Sequence, residues 1–354
     1  MNLKSKIIVI LLCCLFITYS SASKLEIKEV IKNVKIQSFY KAISYSDELL
    51  SFNKQKDNFD FCVNFINKTI FTYGEDSVQT YLSYLLLARH YIIYNKLDAG
   101  NELLLFVDTI KENKSFENDP DIKEVFYTLK GDLFKISSDP ITALKYYKKA
   151  LAIHPSVKNK DYRVEIILLN HIASVQISMH KIDEGKKTLS KVIAKLNKTN
   201  NNADLPYRIE AYINYSKIYE VKGDYKSAIL AIKEFLSLYP MDDIKKTPKS
   251  IELFMVYSTY LTQVFQWDKV LFTAGQALEI QKKLRIADGL FTITNLYALA
   301  NAEKYLKKYE ESKKDFTKAL EKVDKITIDS MTKKELSELL KDEIEKLEKK
   351  VTNK

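Results

Sequence analysis

An all-α chain, folded as a right-handed α-solenoid of stacked helix-turn-helix hairpins and closed by a C-terminal capping helix, is what this sequence predicts. Three observations carry that expectation. Only seven glycines and six prolines occur in 354 residues, against ordinary usage of roughly 7% and 5%, which starves the turns that strands require. Small side chains recur at Gly100, Ala143, Gly185, Ala228, Val270 and Ser312, in steps of 43, 42, 43, 42 and 42 residues. Around each of them apolar residues fall at i, i+3, i+4 and i+7, the spacing of one helical face.

Each hairpin follows from that pattern. Tyr127, Gly131 and Phe134 mark one stripe, Asp139-Pro140 a turn, and Ala143, Tyr147 and Ala150 a second stripe. The same offsets appear upstream in Tyr84, Leu87, Ala88 and Tyr91 leading to Leu97, Gly100, Leu104 and Val107. Downstream they recur from Leu169 to Val192, Tyr212 to Phe235, Phe254 to Ala277 and Leu296 to Ala319. Small residues let paired helices approach closely, and aromatics fill the space above and below. A mature chain of this length exceeds one compact core, and a repeat array grows without needing one.

With these residues in view, the chain resembles the tetratricopeptide-repeat family, most closely over residues 124–157 and again at Ala298 to Ala302 with Lys308 to Ser312. The resemblance covers residues 81–325 as six repeats. The period departs from the family's usual one of about 34 and is nearer the long variants of the kinesin light chain type. The extra residues fall between hairpins, in stretches such as Asn197 to Asn202, and are expected to form loops. Lys130, Gln176 and Glu303 stand where the family has an apolar residue.

The resemblance implies a concave face lined by the first helix of each repeat, suited to an extended peptide or a partner helix. Its candidate binding residues are Arg89, Asp132, Asn170, Ser174, Lys217, Thr259, Tyr297 and Asn301. The family's grip on a C-terminal carboxylate by lysines and asparagine is not evident, because the matching sites hold Leu85, Arg89, Thr128 and Asp132.

Residues 1–23 read as a secretory signal: Lys4 and Lys6, an apolar run from Ile7 to Ile17, then small residues to Ser23. The run is too short for a membrane span, which needs about 20 residues. An uncleaved anchor, or lipidation at Cys13 or Cys14, are the alternatives. Cleavage leaves Cys62 alone, so no intramolecular disulfide forms, and lowers the net charge from +10 to +8 as Lys4 and Lys6 depart. Residues 24–80 read as an N-terminal helical region with a degenerate repeat, Leu49-Leu50 in one helix and Phe59, Cys62 and Ile66 in the next. Cys62 takes a packing site there, as a buried structural thiol. Residues 326–354 hold the capping helix and tail, with Thr332 to Glu335 as a capping box.

Catalytic signatures are missing: there is no nucleophile elbow, P-loop or dinucleotide fingerprint, and His90, His154, His171 and His180 lack the close pairing of a zinc site. An enzyme, a metal and a cofactor are therefore not expected. Lysine pairs at 148–149, 186–187, 282–283, 313–314 and 333–334 are interspersed with acids and fall on second helices, as a solvated face rather than a nucleic-acid track. Asn-x-Ser/Thr sequons such as those at Asn67, Asn113 and Asn197 matter only in a eukaryotic host. The expectation is an exported scaffold, periplasmic or secreted, that binds a protein or peptide; the alternative is an envelope-associated binder of anionic lipid or cell-wall glycan.

Overall fold

The computed structural model describes residues 55–74, 77–93, 97–108, 119–157, 160–199, 201–286, 288–326 and 330–352. Residues 1–23, which the sequence reads as a secretory signal, and Leu49-Leu50 lie outside the described residues. Every regular element described is helical. In chain order these are α1 (Gln55–Tyr73), α2 (Val78–Ile93), α3 (Leu97–Asp108), α4 (Pro120–Ile136), α5 (Pro140–Ile153), α6 (Tyr162–Ser178) and α7 (Ile182–Thr199). There follow α8 (Leu205–Glu220), α9 (Tyr225–Leu238), a four-residue turn of helix at Met241–Ile244, α10 (Ser250–Gln263), α11 (Trp267–Lys283), α12 (Leu290–Tyr305), α13 (Tyr309–Lys325) and α14 (Ser330–Thr352). They form two compact units, residues 55–207 and 208–352, divided in the first turn of α8.

Within the first unit α2 packs on α3, α4 on α5 and α6 on α7, while α1 packs on α2. In the second unit α10 packs on α11, α12 on α13 and α14 on α13. All six small residues are at the starts of second helices, and all six are buried. Their first-helix counterparts Ala88, Gly131, Ala173, Ser216, Ser258 and Ala300 are buried as well. At Gly131 a Cβ would lie 2.6 Å from Cδ1 of the fully buried Tyr147 ring, so this pair of helices is closer than any side chain there permits. Cys62 is in no disulfide and is wholly buried, packed with Phe61, Phe65 and Leu82.

The hairpin turns repeat as faithfully as the helices. Ser138, His180, Gly223, Phe265 and Lys307 all have φ between 59° and 71°. In each case the next amide closes a six-residue ring onto the preceding helix: Asp139 N to Phe134 O, Lys181 N to Gln176 O, Asp224 N to Tyr219 O, Gln266 N to Leu261 O and Lys308 N to Glu303 O. This is the Schellman closure, which satisfies carbonyls that a helix end leaves open. Asp139 and Asp224 then cap the following helices by accepting from Thr142 N and Ser227 N, each at 3.0 Å. Gly223 alone among the five suits its left-handed backbone. Gly223→Ala is therefore expected to cost about 1 kcal/mol, whereas Gly275→Ala, in the interior of α11 with open space around it, should gain about 0.5–1 kcal/mol. Urea unfolding of the two variants checks both signs.

Two expectations need correction. Asn197, Lys198 and Thr199 form the last turn of α7 rather than an inter-hairpin loop. Part of the extra length in the repeat thus goes into longer second helices, of 17 or 18 residues at α7, α11 and α13. The last helix begins at Ser330, so Thr332 lies inside its first turn and does not cap it. Leu336, Leu339, Leu340 and Leu347 nonetheless pack on Phe316, Ala319 and Val323 as a terminal cap does.

Candidate interaction face

The first helices of the two units treat equivalent positions differently. In the first unit the sequence-predicted groove residues are buried: Arg89 is 2%, Asp132 8%, Asn170 0% and Ser174 7% exposed. Asp132 on α4 accepts the Tyr147 hydroxyl of α5 at 2.7 Å, and Nδ1 of His171 on α6 lies 3.4 Å from the same oxygen. The Tyr147 and His171 rings pack with centroids 5.0 Å apart. Burial opposes ionisation of Asp132, but the hydrogen bond and charge of His171, the Arg89 charge and the Tyr147 hydroxyl outweigh it and hold the carboxyl at about 2. Asn170 donates to the Tyr207 carbonyl at 3.4 Å. All four are buried in the unit, which corrects the expectation that they face solvent.

The second unit differs. Lys217 on α8, Thr259 on α10 and Asn301 on α12 occupy one repeat position, 42 residues apart, and each is half-buried. Tyr297, one turn before Asn301, is half-buried too, its ring packed edge-on against Phe316 at 5.6 Å. Thr259 donates to the Met255 carbonyl at 3.0 Å and Asn301 to the Tyr297 carbonyl at 3.0 Å, so their own helices fix their rotamers. α8 and α10 are joined below this row by the Tyr260 hydroxyl, which donates to Glu220 at 2.8 Å and lies 3.3 Å from the Ser216 hydroxyl. Tyr212 and Tyr215 lie on the same helix as Lys217. The Tyr215 and Tyr219 hydroxyls lie 3.4 Å apart, and this contact together with burial pushes the Tyr215 phenol up to about 12. The row thus combines one cation, two hydroxyls and one amide on a helical base.

Among the described residues no group of three or more metal-ligating side chains converges, and no helix is long and apolar enough to cross a membrane. The lysines at 148, 149, 186, 187, 282 and 283 are exposed on second helices. Sequence reasoning missed the Asp132 network, in which Asp132 and His171 are 39 positions apart and carry no shared motif. It also left Lys130, Gln176 and Glu303 unexplained; all three are buried in regular helix. The Lys130 ammonium lies 5.6 Å from the Phe126 ring centroid and 5.7 Å from that of Tyr146. Gln176 donates to Glu184 at 3.1 Å and accepts from Thr188 at 2.8 Å.

A comparison with protein families matches the tetratricopeptide repeat at residues 209–241 and 293–321. A comparison with curated proteins gives no match. Among solved structures the chain is similar to the apo form of RapI, with 16% identity and a TM-score of 0.56 over 84% of this chain and 77% of that one. It is similar to the Cut9–Hcn1 hetero-tetramer of the APC/C, with 11% identity and a TM-score of 0.51 over 86% of this chain and 49% of that one. A third is NprR in complex with its cognate peptide NprX, with 14% identity and a TM-score of 0.47 over 90% and 84%. Identities this low speak to the fold and not to a shared function. The two family matches fall on the α8–α9 and α12–α13 hairpins, so tetratricopeptide repeats are present there, within a chain of packed helical hairpins that share one turn geometry.

Proposed function

We propose that this protein is an extracytoplasmic interaction scaffold that holds an extended peptide or a partner helix across the first helices of its second unit. The observation that carries the reading is the row Lys217, Thr259 and Asn301, with Tyr297 beside it, accessible at equivalent positions where the first unit has buried its polar groups. Side chains of this kind hydrogen-bond main chain and select charge. The Cut9 relative assembles with Hcn1 in its hetero-tetramer, which supports partner binding by fold alone. Export rests on the leader at residues 1–23 and on nothing in the described helices. The chain has no chemistry of its own in this reading.

The test begins with capture of a partner from the native envelope or secreted fraction by the immobilised protein, followed by affinity measurement with that partner purified. Lys217, Thr259 and Asn301 changed together to alanine should weaken binding at least tenfold while shifting stability by only about 0.5 kcal/mol per site. Arg89 is left intact because its burial would confound loss of binding with loss of fold. Binding that survives this change, but is lost when Lys148, Lys149, Lys313 and Lys314 are neutralised, moves the site to the second helices. Loss of binding to anionic vesicles in that same variant supports the lipid alternative instead.

A further inference from the structure

The last hairpin carries three carboxyls where its relatives in the same chain carry none or one. Glu303, Glu311 and Asp315 stand 127 residues after Gln176, Glu184 and Thr188, the same three places in the repeat. In the earlier hairpin those places hold a closed hydrogen-bond set, with Gln176 donating to Glu184 and accepting from Thr188. In the α4–α5 hairpin the first and third places are Phe134 and Tyr146, stacked 5.5 Å apart. A carboxylate at each of the three offers acceptors and no donor. Glu303 is 8% exposed, and its Oε2 is fully enclosed with no hydrogen-bond partner. Asp315 is buried too and is bound by Lys318 at 2.5 Å.

We propose that Glu303, Glu311 and Asp315 form a proton-binding site that tightens the last hairpin as the pH falls. A proton on Glu303 removes a buried charge and supplies the one donor that the trio lacks. Burial, with the Asp315 and Glu311 charges next, pushes the Glu303 carboxyl up to about 7 against the opposing pull of Lys308 and Lys318. Lys304 is bound to Glu343 of α14, and the one acid of α10, Glu252, is paired with Lys249 at 2.7 Å. The first turn of α11 brings exposed Asp268 and Lys269 beside Trp267, whose ring stacks on Tyr305 with centroids 4.0 Å apart.

Because the folded carboxyl binds its proton more tightly than the unfolded one, its contribution is complete below the ordinary carboxylate range and is lost as the pH rises to about 7. The site responds in the neutral range, where an unperturbed glutamate does not. An exported protein meets such changes directly.

Trp267 is the single tryptophan of the chain and stacks two residues from Glu303, so its fluorescence reports on the site. Fluorescence titration and urea unfolding of the full chain between pH 5 and pH 8 are the test. The native protein should show a titration near pH 7 in Trp267 emission that Glu303→Gln abolishes. Relative to Glu303→Gln, the folded-to-unfolded ratio of the native protein should fall at least tenfold between pH 5 and pH 8. Asp315→Asn, which keeps Glu303 and removes its neighbour's charge, should move the titration to lower pH, and it serves where the glutamine variant does not fold. A Trp267 titration unchanged in both variants overturns the proposal. So does a stability difference between native and Glu303→Gln that is the same at both pH values, since that is the mark of packing alone.

Discussion

Asp132→Ala is expected to destabilise the first unit by about 3 kcal/mol, the cost of removing one partner from a buried charged cluster. The substitution leaves the Tyr147 hydroxyl without its 2.7 Å acceptor and leaves His171 and Arg89 without the anion they face. Tyr147→Phe removes only a neutral donor and should cost about 1 kcal/mol. Because the two units need not unfold together, amide exchange in α4, α5 and α6 is the measurement, and protection there should drop more than in α10 to α13. The Asp132 contribution also has a defined pH window. Its folded carboxyl lies at about 2 against an ordinary 3.8, so the stability it confers is present above the ordinary value and is lost as the pH falls through both. Equal protection in Asp132→Ala and the native protein would mean that the cluster is a surface feature.

Ala228→Leu should cost about 1–3 kcal/mol by overpacking the α8–α9 hairpin. Ala228 is wholly buried at the start of α9, whereas Leu230, two residues on, is 63% exposed. Leu230→Ala is thus expected to stay within about 0.5 kcal/mol. The pair of variants reads the register of the repeat from one helix, through thermal unfolding. Equal melting temperatures would place the small residue on the wrong face.

The hairpins were legible in the sequence because their cause is local and periodic: a small residue every 42 or 43 positions leaves a mark that any one repeat repeats. The turns were legible less well. Only Gly223 advertises its left-handed backbone, while Ser138, His180, Phe265 and Lys307 adopt it under the pressure of the two helices they join. Asn197 to Thr199 suggested a loop by composition, yet helix continues through them to Thr199, since packing of Val192 and Leu196 outweighs weak local propensity.

The candidate face was half legible. Repeat position alone identified the first-helix residues, and for Lys217, Thr259, Tyr297 and Asn301 it found an accessible row. For Arg89, Asp132, Asn170 and Ser174 the same position is buried, because charges distant in sequence neutralise one another across α4, α5 and α6. No single-residue property of Asp132 announces that His171 will meet it. Glu303, by contrast, was visible as an acid at an apolar place, and its meaning emerges from the comparison with Gln176 and Thr188 in an earlier repeat.

The central claim, that a partner lies across the first helices of the second unit, is tested most directly by photocrosslinking from single positions in the native setting. Probes at Lys217, Thr259 and Tyr297 should each yield the same discrete adduct, and probes at Lys187 and Lys314 on second helices should yield none. Adducts from Lys187 and Lys314 with none from the inner row would contradict it.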